Sequence, residues 1–146
     1  MKTLSLFLLG ACLATAPLYA QYNTGDVELN ASLSKIDADA QLDFGAFKAN
    51  ISAEYDISSN KIDTWSVNLG MKPGDIYLAL EIGKVAQRPM DEVVNVYQKN
   101  KGQGWGVIAR ELGIRPGSPE FHALKNNLGG KGKGHGHRGN PHSKPD

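Results

Sequence analysis

Three histidines near the C-terminus, His135, His137 and His142, have the type and spacing for metal chemistry. Glycine alternates with the first two, so the imidazoles sit on a backbone loose enough to close on nickel, copper or zinc. Without cysteine or carboxylate support the set predicts weak, exchangeable binding, and no resident cofactor is expected. His122 stands alone on a helical stretch, where a structural role is expected. A second place for chemistry is KNKGQGWG at 99–106, where two lysines and three glycines lead into a helix start. Backbone amides there could hold a phosphate or carboxylate, although the spacing matches neither the dinucleotide nor the P-loop signature. No serine sits in a nucleophile-elbow pattern, and no nucleophile stands beside a base. The chain is expected not to be an enzyme.

The string WGVIARELGI (105–114) followed by RPGSPEFHALK (115–125) has the outline of a helix-turn-helix. A DNA reader puts basic or amide side chains on its second helix. Glu120, His122 and Lys125 are a poor set, so a glycine-capped packing corner is expected and no nucleic acid partner.

These residues need elements to place them. Residues 61–128 carry a helical period and read as a cluster of four or five short helices. Pro73 suits the first position of a helix running to about Ala86, with Asp75 complementing its dipole. Met90, Val93, Val94 and Tyr97 keep helical spacing after Pro89, and Trp105, Ile108, Ala109 and Leu112 repeat it up to a Gly113 cap. Ser118 and Pro119 open a last helix that faces Phe121, Leu124 and Leu128 inward. A short helical piece around Asp63 to Leu69 precedes them all.

Residues 21–60 have another texture. Apolar residues alternate with polar ones from Val27 to Leu33, from Ile36 to Phe44 and from Phe47 to Ile57, and the phase flips between runs. Two-residue turns at Ser34-Lys35 and Gly45-Ala46 would keep the apolar set on one face. The pattern predicts a three-stranded antiparallel meander, and so an α+β fold, although the many alanines leave an amphipathic helix open for part of it. An exposed meander edge would invite a partner strand. This predicts docking of an unknown envelope protein, or self-association, through the strand segment. The tail, 129–146, is rich in glycine, lysine and histidine and is expected to be disordered.

Residues 1–20 read as a signal peptide: Lys2, an apolar run from Leu4 to Ala14, Pro17, and Ala20 just before Gln21. The apolar run is too short to span a membrane, so the mature chain is expected in the periplasm or secreted, without a transmembrane helix. A lipid-modification reading through Leu9-Gly10-Ala11-Cys12 fits only loosely. Cys12 is the single cysteine and leaves with the leader, so packing alone must hold the mature domain. Charge is graded along the chain: 21–60 is acidic and the tail is basic.

Two stretches, MKPGDIYLALEIG (71–83) and DEVVNVYQKNKGQGWGVIARELGIRPGSPEFHALK (91–125), resemble a family of small exported bacterial proteins of unknown function. The shared wording is the lysine- and glycine-rich approach to a WGVIA-type helix, the LGI-x-PGS corner and the closing FHALK. The resemblance implies an envelope protein and supplies no activity or site residues. The expected role is that of an exported non-enzymatic interaction or structural protein, with periplasmic metal binding by the tail histidines as the alternative.

Overall fold

The computed structural model describes residues 22–131, and among these every regular element is a helix. In chain order they are α1 (Val27–Leu42), α2 (Phe44–Tyr55), α3 (Ser59–Leu69), α4 (Pro73–Ala86), α5 (Met90–Lys99), α6 (Trp105–Glu111) and α7 (Pro119–Lys131). The expected α+β fold is therefore overturned: the region of the meander is α1, α2 and the start of α3. The residues in contact with the core explain why. Leu29, Leu33, Ile36 and Ala40 are buried, which is the i, i+4, i+7, i+11 stripe of one helix face. Ala31, Ala38, Ala49 and Ala53, which completed the apparent alternation, are all exposed. Alanine is the strongest helix former and carries little burial information on a surface. The phase flip at Ser34-Lys35 is the step from i+4 to i+7, not a turn.

Local signals mark the ends of these two helices. Asp26 caps α1 by accepting from the Leu29 N–H at 2.9 Å, and Asp43 caps α2 by accepting from the Ala46 N–H at 2.9 Å. Asp56 closes α2 in the left-handed conformation, φ 53°, which Asp tolerates better than most residues.

The later helices fall where the spacing puts them. Pro73 begins α4, and the Ser118 hydroxyl accepts from the Phe121 N–H at 3.1 Å to cap α7. α7 continues through Gly129 and Gly130 to Lys131, beyond the point where the tail was expected to begin. α4 is the centre of the molecule: every residue from Gly74 to Gly83 is buried, as a helix that is apolar on most sides requires. It packs against α1, α2, α3, α5 and α7. Trp105, Ile108, Leu112, Val93, Tyr97 and Leu124 share its core, with Val94 and Phe121 half-buried at the edge. Among the described residues no helix is long and apolar enough to cross a membrane.

Charges tie the ends together. Lys125 on α7 reaches Asp26 at 2.8 Å and Glu28 at 3.0 Å. Burial pushes the Asp26 carboxyl up, but the Lys125 hydrogen bond and the Leu29 N–H more than offset this and hold it below its ordinary range.

One carboxylate is sealed in the core. Glu81 of α4 is 1 % exposed; it accepts from the Tyr55 hydroxyl and from the Asn127 amide, the latter at 2.7 Å. That is how a buried acid is tolerated. It also joins α2, α4 and α7 through one side chain.

Candidate functional site

The N-terminus of α4 gathers polar groups from four parts of the chain. Its own third residue, Asp75, turns back to accept the Lys72 N–H at 2.9 Å, and its other oxygen accepts the Trp105 indole N–H at 2.7 Å. Asp37, buried on α1, accepts the Gly74 N–H at 2.8 Å and the Tyr22 hydroxyl. Two carboxylates at the positive end of a helix are electrostatically well placed. Each of their four oxygens already accepts a donor of the fold. Burial raises the Asp75 carboxyl above its ordinary range, against the lowering effect of the Trp105 and Lys72 N–H bonds, and nearby Asp37 adds to the rise.

Residues 22–24 run across this assembly as a strap. The Trp105 N–H donates to the Tyr22 carbonyl at 3.3 Å and the Gly106 N–H to the Asn23 carbonyl at 3.1 Å. Gly104 lets the two backbones approach: a Cβ there would lie 2.9 Å from the Asn23 side chain and 3.0 Å from its carbonyl. The strap thereby takes the first free amides of α6. The next two, on Val107 and Ile108, donate to the Gly104 carbonyl. Of the amides of 99–106 expected to cradle a phosphate, those of Gln103, Trp105 and Gly106 are therefore already spent within the fold.

The loop instead forms one wall of a cleft of about 420 Å³ between α4, α5 and α6. Its lining includes Asn23, Lys72, Asp75, Tyr97, Lys101 and Trp105. Tyr97 packs its ring on Trp105, with centroids 5.3 Å apart. Burial, then the Asp75 charge, pushes its hydroxyl up to about 12, so it is a proton donor across the neutral range. Lys101 donates to the Leu69 carbonyl at 2.8 Å.

The sequence candidates separate cleanly on this structure. Lys101, Gly102, Gly104 and Trp105 of the lysine-glycine loop do meet at the cleft. His135, His137 and His142 lie outside the described residues, as does the expected signal peptide, 1–20. His122 is the one histidine among the described residues, and it stands exposed on α7 beside Phe121. No group of three His, Cys, Asp or Glu side chains among the described residues could hold a metal ion. The second helix of the helix-turn-helix outline is α7, which packs on α1 and α4 and turns Lys125 onto Asp26 and Glu28. Sequence reasoning missed Tyr22 and Asp37 altogether, because their partners lie 15 and 37 residues away. Asp75 was readable as a first-turn acid, but not as the partner of Trp105.

Comparison with family models, curated proteins and solved structures finds no match to this chain.

Proposed function

We propose that the chain is an exported, non-enzymatic binding protein of the bacterial cell envelope, and that it meets its partner at the cleft between α4, α5 and α6. The observation that carries this reading is the pattern of pairing at the cleft. The carboxylates beneath it are spent on donors of the fold, while the side-chain donors of Lys72, Asn23 and Tyr97 are left to face a partner. Groups poised for acid–base or nucleophilic work would need a base in contact with a nucleophile, and donors dominate here instead. Export rests on the leader-like run 1–20, and the resemblance of 71–83 and 91–125 to exported proteins points the same way. Docking through strand edges is withdrawn, since the described residues contain no strand.

The test is an isotope-labelled chain beginning at Gln21, observed by NMR with and without envelope extract. The amides of Gly102 and Gly104 and the Trp105 indole should shift or broaden. Changes confined to α2 and α3 would move the binding surface away from the cleft.

The tail supports a second reading, periplasmic metal handling, on the strength of His135, His137 and His142. Deleting 132–146, which spares all of α7, should leave the melting temperature unchanged and remove most nickel and zinc binding. Neutral imidazole is the ligand, so binding by the full chain should fade as pH falls through about 6.5. If the shortened chain binds metal as tightly as the full one, the tail is not the site.

A further inference from the structure

We infer that the cleft is an oxyanion site, in which Lys72, Tyr97 and Asn23 take a small phosphate- or carboxylate-bearing molecule against the Trp105 wall. The inference deepens the binding-protein reading and rests on the cleft being its binding surface. Asp75 gives both oxygens to the Lys72 and Trp105 N–H groups, and Asp37, below the cleft, gives both of its own to Tyr22 and Gly74. Asn100 is spent as well: its amide nitrogen reaches Val96 and Glu111, and its oxygen accepts from Gln103.

The groups left over are donors. The Lys72 ammonium, the Asn23 amide and the Tyr97 hydroxyl make no hydrogen bond to another described residue. The Lys101 ammonium uses one N–H on the Leu69 carbonyl and keeps two, since an ammonium carries three. Four donors, two of them cationic, therefore line one cleft whose acids are already internally satisfied. A metal cation would find Asp75 as the one carboxylate of the lining and would have to sit beside the Lys72 and Lys101 ammonium groups, which repel it. A neutral sugar could pair with Asn23 and Tyr97 but would leave the Lys72 and Lys101 ammonium groups without a counter-charge. An oxyanion needs only donors and gains from both charges. A cleft of about 420 Å³ lies within the range that small ligands occupy.

The loop chemistry agrees. Gly102 and Gly104 adopt φ 95° and 89°, a region that side chains disfavour, so the wall beside Lys101 can bend around the strap without a side chain filling the space.

Sodium phosphate and sodium acetate, each titrated against sodium chloride at matched ionic strength, test the assignment on the chain from Gln21. The readout is the pair of indole N–H resonances, since the protein has two tryptophans, with the Gly102 and Gly104 amides beside them. The expected result is a saturable shift at Trp105 and the two glycines and none at Trp65. Saturation by phosphate alone assigns a phosphate group; saturation by both assigns oxyanions in general. Lys72→Met should weaken binding at least tenfold, and Tyr97→Phe, which keeps the ring on Trp105, should weaken it severalfold. Lys125→Met, at a residue that pairs with Asp26 and Glu28 and is no part of the lining, should leave it unchanged. Shifts equal to those in chloride, or Lys72→Met binding as tightly as the parent, overturn the inference. If the oxyanions do nothing while envelope extract still shifts the cleft, only the ligand class is wrong. If the extract is silent too, the binding-protein reading fails with it.

Discussion

Leu33→Ala should lower the unfolding free energy by about 2–5 kcal/mol, whereas Ala31→Lys, two residues earlier, should leave it within about 0.5 kcal/mol. Leu33 is fully buried at 0 % exposure in the centre of α1, where it faces α4, and Ala31 is exposed. Truncation at Leu33 removes three carbons from a packed core and opens a cavity that fixed neighbours close only in part. A lysine at Ala31 meets water. Urea denaturation of the two variants beside the parent measures both costs. The pair also distinguishes the two ways of folding this segment: in a strand, residues 31 and 33 point to the same side, so both changes would be damaging. Equal costs would mean that α1 is not a helix in solution. By the same logic Leu29 and Ile51, at 2 % and 1 % exposure, are core residues. Lysine at either would unfold the domain, not merely loosen a contact at a sheet edge.

The pattern of 26–58 misleads because its alanines complete an apolar alternation without reporting burial. Without the alanines the large apolar residues of α1 are Val27, Leu29, Leu33, Ile36 and Leu42, of which the middle three are buried at helical spacing while Val27 and Leu42 are exposed. Two capping aspartates were also in plain view, Asp26 and Asp43, each three residues before the N–H it accepts. The later helices were legible because their punctuation is unambiguous: Pro73 opens α4, Pro89 precedes α5, Gly113 follows α6 at φ 93°, and Ser118 caps α7. Of the site, the lysine-glycine loop was visible as a local oddity of composition. The amides of Trp105 and Gly106 look available in the sequence because the strap that occupies them, Tyr22 and Asn23, lies more than eighty residues away. Contacts of that range are set by how α1 and α6 pack around α4, and no local spacing encodes them. Asp37 shows the same limit. On a strand it would be one more acid of a polar face, but on α1 it follows Ile36 into the core, where only the α4 N-terminus and Tyr22 make its charge tolerable.

Asp37 is accordingly where a single substitution should do the most damage for the least change in volume. Asp37→Ala should cost about 3–5 kcal/mol, because it leaves two buried donors, the Gly74 N–H and the Tyr22 hydroxyl, without acceptors; each such orphan costs about 1–3 kcal/mol. Asp37→Asn should cost under about 2 kcal/mol. Its carbonyl oxygen can still accept from Gly74, and its amide can donate to a Tyr22 hydroxyl that rotates to receive it. Tyr22→Phe removes one of the two donors, so Tyr22→Phe combined with Asp37→Ala should cost less than the two single changes added together, a coupling that denaturation of all four proteins would measure. Gly74→Ala attacks the same knot by volume: its Cβ would lie 2.7 Å from the Tyr22 ring and 3.0 Å from the Leu33 carbonyl. The backbone of α1 cannot retreat, so Tyr22 must leave its place, and the strap that borders the cleft leaves with it. Gly74→Ala should therefore lose the Trp105 indole shift on ligand addition even where the helices stay folded. If Asp37→Ala costs less than about 1 kcal/mol, the strap is not docked in solution and the cleft wall it forms is not fixed.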